Sequence, residues 1–211
     1  MSILTEINEA VQKGKAKLMP ELLERALGEG LTASVILNEG LLPGMDVVGE
    51  KFKNNEVFVP EVLVAARAMK TGTDILQPLL KEGGVEPIGK AIIGTVKGDL
   101  HDIGKNLVKM MFEGKGIEVI DLGVDVSAEQ YLESFKTTGA KIICCSALLT
   151  TTMTEMQRVV DIFTEAGLRD QVTIMIGGAP VNDDFRNSIK ADIYTPDAAT
   201  AADAAKKVLV G

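Results

Sequence analysis

Along the first eighty residues, apolar side chains return at the three- and four-residue intervals of an amphipathic helix. Ile3, Ile7 and Val11 make one stripe, and Leu18, Leu22, Leu23, Ala26 and Leu27 make a second. Gly14 breaks the pattern between them, and Gly28 and Gly30 end the second helix. A third helix is expected over residues 33–41, and a short fourth after Pro43 through Val47, Val48 and Phe52. The longest opens at Pro60, a residue suited to a first helical turn, and carries Val62, Leu63, Ala65, Ala66, Met69 and Leu76. No strand-like alternation interrupts this stretch, so residues 1–82 read as a helical bundle with a core of its own.

Residues 83–90 hold three glycines and Pro87, the composition of a linker. Beyond them the period changes. Short apolar runs at 91–96, 117–122, 141–146, 172–176 and 192–194 alternate with helix-length segments near 104–115, 127–138, 152–167, 182–190 and 198–210. Five strands alternating with five helices predict a doubly wound parallel sheet over residues 91–211. Short right-handed crossovers favour the flavodoxin-like strand order 2-1-3-4-5. The expected fold class is therefore α/β, with an N-terminal helical bundle cap and a C-terminal flavodoxin-like (Rossmann-like) five-stranded parallel sheet domain.

That topology directs attention to the loop after the first strand, because such sheets bind ligands beyond their carboxyl ends where the strand order reverses. The loop reads Lys97-Gly98-Asp99-Leu100-His101-Asp102-Ile103-Gly104, and it contains the chain's single histidine. Asp99 stands two residues before His101, placed to accept a hydrogen bond from one ring nitrogen and leave the other free for a metal. Gly98 and Gly104 let the backbone bend around something bulky. One histidine without nearby cysteines cannot build a four-ligand zinc site. It can supply one axial ligand to a metal already held by a macrocycle.

Composition narrows the field further. Net charge is -8, and it is spread evenly. Residues 1–88 carry thirteen acidic and nine basic side chains, and residues 89–211 carry seventeen and thirteen, so each part is near -4. Neither offers a basic footprint for nucleic acid, and six Phe, two Tyr and no Trp make poor stacking platforms. No apolar run approaches the roughly 18–20 residues needed to cross a bilayer, so no membrane partner is expected. The opening Met1-Ser2-Ile3-Leu4-Thr5-Glu6 meets an acid at once and has no apolar signal region. Cys144 and Cys145, flanked by Ile142 and Ile143, read as buried core thiols that demand no oxidising compartment. A cytoplasmic location is expected.

Asp99-x-His101-x-x-Gly104 is followed after 41 residues by Ser146-x-Leu148, and after 28 more by Gly177-Gly178. This resembles the three-part signature of cobalamin-binding domains in which a histidine replaces the cofactor's own base beneath cobalt. The helical half, with Glu56-Val57-Phe58-Val59-Pro60-Glu61-Val62-Leu63, is similar to the cap of methyl-transferring members. The resemblance spans nearly the whole chain and is strongest to the small corrinoid proteins of methyltransferase systems, relatives of the cobalamin-binding module of methionine synthase. It implies a cobalamin or related corrinoid, with His101 as cobalt ligand. Gly98, Asp99, Leu100, His101, Asp102, Ile103 and Gly104 would border the cofactor, joined by Ser146, Leu148, Thr150, Gly177, Gly178 and Ala179. Thr152 stands where relatives place a serine that extends the His–Asp hydrogen-bond chain. Gly177 and Gly178 read equally as room for the buried nucleotide tail or as an ordinary turn. Val59 and Met69 read as lid or as bundle core.

The resemblance also implies a role and partners. Co(I) would take a methyl group from a substrate-specific corrinoid methyltransferase and pass it on as methyl-Co(III) to a second methyltransferase using tetrahydrofolate or a thiol. A reductive activase would rescue oxidised cobalt, and the chain itself would be a carrier subunit without catalysis of its own. Two other readings keep the cofactor: the small subunit of an adenosylcobalamin-dependent mutase, and a cobalamin-based sensor. The helical half argues against the first, and the lack of Trp and of a DNA-binding module against the second. A phosphate-binding loop fails because five residues separate Gly98 from Gly104 where four are needed, and Asn106 follows Lys105 where Ser or Thr should.

Overall fold

The computed structural model describes residues 2–211 and divides into two compact units, the chain through Pro87 together with Gly114–Gly116, and Ile88–Glu113 with Ile117–Gly211. In the first unit, α1 (Ile3–Gln12) starts at Ser2, whose hydroxyl accepts the Thr5 amide, and buries Ile3, Ile7, Ala10 and Val11. The chain then bends at Gly14, in the left-handed region at φ 63°, where an added Cβ would meet Val64 at 2.5 Å. A 3-10 turn leads into α2 (Met19–Gly28). Its buried face is Met19, Leu22, Leu23 and Ala26, while Leu18 is exposed.

The expected break at Pro43 does not occur. Thr32 caps α3 (Ala33–Val35), which runs through a π-helical stretch at Ile36–Leu41 directly into α4 (Leu42–Lys53). Proline has no N–H to offer the carbonyl four residues back. The widened turn, in which the Leu42 amide bonds the Leu37 carbonyl, carries the helix past it instead. In α5 (Val59–Glu82), Pro60 lies in the first turn and the Glu61 carboxylate accepts the Phe58 amide at 3.0 Å. Val62, Ala65, Ala68, Met69, Gly72 and Leu76 are buried, so Met69 belongs to the bundle core. Leu63, expected on that stripe, faces solvent instead, and Phe58 just before the helix is 64% exposed.

The second unit is a parallel sheet of β1 (Lys90–Thr95), β2 (Glu118–Asp121), β3 (Ile142–Ser146), β4 (Thr173–Gly177) and β5 (Ile193–Tyr194), in the order β2-β1-β3-β4-β5. Its helices are α6 (Ile103–Glu113), α7 (Ala128–Thr138), α8 (Thr154–Glu165), α9 (Asp183–Ile189) and α10 (Ala198–Val210). Ile92, Ile143, Cys145, Ile174 and Ile176 pack with Tyr131 of α7 and Val159 and Phe163 of α8. Alternate residues Ile93, Ile142, Cys144 and Met175 are buried on the opposite face. Both cysteines are free and buried, and burial pushes the Cys145 thiol up to about 12. No described helix is long and apolar enough to cross a membrane.

Parallel register aligns the strand ends. Thr95 pairs with Ser146, and Ser146 with Gly177, so the last residues of β1, β3 and β4 form one row at the carboxyl edge.

Candidate functional site

From the end of that row the chain turns at Gly98, in the left-handed region at φ 79°, and reaches α6 only at Ile103. Asp99 and His101 lie in the loop between. Asp99 is fully buried. Its Oδ1 accepts the His101 ring Nδ1 at 2.8 Å and the His101 backbone amide at 3.1 Å. Its Oδ2 accepts the Thr152 hydroxyl and the Leu148 amide, both at 2.8 Å, and the Leu149 amide at 3.2 Å.

Burial alone would raise the Asp99 pKa. The Leu148 amide, the His101 ring and amide, and the Thr152 hydroxyl outweigh it and hold the carboxyl well below the usual carboxylate range. An ionised carboxylate only accepts, so the shared hydrogen sits on His101 Nδ1. In the neutral ring, Nε2 then keeps its lone pair. The His101 side chain is 51% exposed, so that lone pair can meet a ligand from solvent.

Around the imidazole lies an apolar rim. Leu100 and Ile103 are 72% and 76% exposed, and Leu148 and Leu149, whose amides hold Asp99, are exposed as well. Such a cluster on a charged protein suits a flat ligand with a hydrocarbon face.

The two glycines after β4 differ in what they do. Gly178 has φ 132°, and a Cβ there would fall 1.8 Å from the Ala147 carbonyl oxygen, so the neighbouring backbone requires it. At Gly177 a Cβ would find nothing nearer than the Thr195 carbonyl at 4.0 Å. Gly177 leaves open space beside Ser146, and Gly104 does so in the first turn of α6. One free imidazole nitrogen, an apolar rim and a clear strand end fit a large macrocyclic metal cofactor with a trailing substituent. Among the described residues, no group of three or more His, Cys, Asp or Glu could hold a metal ion by itself.

The structure thus brings Asp99, His101, Leu148 and Thr152 into one network, with Ser146 and Gly177 at its border. Thr150, on the same turn as Thr152, is exposed and outside that network, as is Ala179 beyond Gly178. Asp102 turns its carboxylate to the Asn106 side chain at 3.0 Å. Sequence reasoning missed the Leu149 amide, which carries no residue-type signal, and Thr95, a fully buried hydroxyl at the end of an apolar strand.

A family model described as a B12 binding domain matches residues 89–206, and a second of the same description matches residues 3–77. A corrinoid protein of Desulfitobacterium hafniense is 39% identical over 99% of this chain and 98% of its own length. Trimethylamine corrinoid protein 1 of Methanosarcina acetivorans is 37% identical over 99% and 97%. The crystal structure of the methanol:cobalamin methyltransferase complex MtaBC from Methanosarcina barkeri superimposes with a TM-score of 0.89 at 29% identity, covering 99% of this chain and 80% of that one. With both halves matched, the chain belongs to the B12-binding corrinoid proteins of methyltransferase systems, and its cofactor is cobalamin or a related corrinoid.

Proposed function

We propose that this chain is a methyl carrier serving two separate methyltransferases, and that His101 Nε2 would hold the cobalt of the corrinoid. The observation that carries this reading is the 2.8 Å bond between His101 Nδ1 and an ionised, buried Asp99, which fixes the tautomer and leaves Nε2 free at the carboxyl edge of the sheet. When bound, the corrinoid supplies a cobalt centre that accepts and releases a methyl group as its oxidation state changes. The protein's own part is to hold and release one imidazole. While Nε2 is engaged, Asp99 raises the ring's donor strength. When Nε2 is released, the bond from Nδ1 to Asp99 keeps the ring in the same orientation for the next engagement. Thr152 and the Leu148 and Leu149 amides keep Asp99 in place through the cycle. Ser146, Gly177 and the apolar rim would seat the cofactor's tail and ring.

The partners belong to the same reading. A substrate-specific corrinoid methyltransferase delivers the methyl group, a second enzyme using tetrahydrofolate or a thiol removes it, and a reductive activase restores oxidised cobalt. The likeness to the methanol:cobalamin methyltransferase complex MtaBC supports a partner of the first kind.

The test is His101→Ala in the full chain reconstituted with methylcobalamin. The variant should still bind, through the rim and the tail site, but with a visible spectrum lacking an axial base at every pH. A spectrum identical to wild type across pH would remove His101 as the ligand.

A further inference from the structure

Beyond the hydrogen bonds to the Asp99 carboxylate, the His101 loop is tied to neighbouring elements at three points that the ligand chemistry does not explain. The Thr95 hydroxyl, fully buried at the end of β1, donates to the His101 carbonyl oxygen at 2.8 Å. The Asp125 carboxylate accepts the Gly98 amide at 2.7 Å, and the Asp125 amide donates to the Asp99 carbonyl at 3.0 Å. Asp125 therefore grips the loop from both sides of its turn. It does so with φ at 56°, a left-handed conformation that aspartate adopts more readily than most residues with a side chain and that these bonds hold here.

Thr95 is itself held on both sides by the same connection that carries Asp125. Its amide donates to the Gly123 carbonyl at 3.0 Å, and its carbonyl accepts the Val126 amide at 2.9 Å. The β2–α7 connection, β1 and the histidine loop thus form one closed frame. Within it, His101 has its amide fixed by Asp99 and its carbonyl fixed by Thr95. With both ends of the residue held, the ring keeps its height above the strand ends whether or not Nε2 has a partner.

We propose that Thr95 and Asp125 are positioning residues that pre-set the His101 imidazole for axial ligation, acting through the backbone and separately from the Asp99 carboxylate. This role rests on His101 being the axial ligand. A proton and the metal compete for Nε2, so a less well placed ring loses the metal at higher pH.

The experiment reconstitutes the full-length wild type, Thr95→Val, Thr95→Ser, Asp125→Gly and His101→Ala with methylcobalamin. It records the pH at which the visible spectrum changes from base-on to base-off. Val fills the space of Thr without the hydroxyl, and Gly keeps the left-handed backbone without the carboxylate. Loss of one such hydrogen bond should weaken ligation about tenfold, raising the midpoint by about one pH unit in Thr95→Val and in Asp125→Gly. Thr95→Ser should return to the wild-type midpoint. A merely structural hydroxyl would alter stability and leave the midpoint alone. Wild-type midpoints in both Thr95→Val and Asp125→Gly, with His101→Ala base-off throughout, would overturn the positioning role and spare the ligand assignment. A wild-type spectrum in His101→Ala would overturn both. Asp125 is exposed, so Asp125→Gly decides the matter if Thr95→Val does not fold.

Discussion

Asp99 is a buried charge whose five donors make it an anchor as well as a partner for His101. Asp99→Asn would turn an amide NH2 toward groups that also donate. We expect it to cost about 2–4 kcal/mol of apoprotein stability at pH 7, read by urea unfolding. The pH dependence has a defined sign. The folded-state pKa lies below the unfolded one, so the contribution is complete above about pH 4 and fades as pH falls toward the folded value. The gap between wild type and Asp99→Asn should therefore narrow between about pH 4 and pH 2.5, and a constant gap would contradict an ionised anchor. At this scale the sequence showed what residue type can show. His101, Asp99 and Thr152 carry side-chain chemistry at readable spacings, although Thr152 meets Asp99 from 53 positions away. The Leu148 and Leu149 amides act through backbone atoms that any residue would provide, and Asp125 grips a loop 27 positions earlier, so neither could be read from residue identity.

Among the elements, strand periodicity was legible and helix continuity was not. Five runs located five strands, most plainly the central β1, β3 and β4, because strands buried on both faces read as short unbroken hydrophobic stretches. Pro43 looked like a boundary between two helices, since the loss of one N–H usually ends a helix. The π-helical stretch before it is a rarer answer that only the packed structure reveals. The paired glycines after β4 looked alike in sequence and differ in physics. Gly178→Ala should destabilise the apoprotein by about 2–4 kcal/mol, because the Ala147 carbonyl cannot move without disturbing the end of β3. Gly177→Ala should change apoprotein stability by less than about 1 kcal/mol yet weaken cobalamin binding, because its methyl enters space that the protein leaves free. Denaturant melts paired with a cobalamin titration separate the two. Equal stability losses would mean that both glycines serve the turn alone.

For the molecule as a whole, the segment between α5 and β1 is the natural place to separate its functions. Residues 83, 84 and 86–88 are exposed, and Gly84 takes a left-handed turn. We propose that it links a helical cap to a cobalamin-binding domain. A glutamate-specific protease should cut first after Glu82, because the bond after Glu86 leads into Pro87, and the fragment beginning at residue 83 should retain cobalamin. Loss of all binding in that fragment would make the helical part integral to the primary site.

The solitude of His101 has a practical side. Since the chain holds no other imidazole, ring-labelled histidine would place nitrogen-15 at two atoms only, Nδ1 and Nε2 of this one residue. Each signal would come assigned in advance. The nitrogen facing Asp99 reports where the shared hydrogen resides, and the other reports whether it holds a lone pair, a proton or cobalt. The engagement and release proposed for His101 could then be followed from the protein side, in the intact chain with and without its corrinoid.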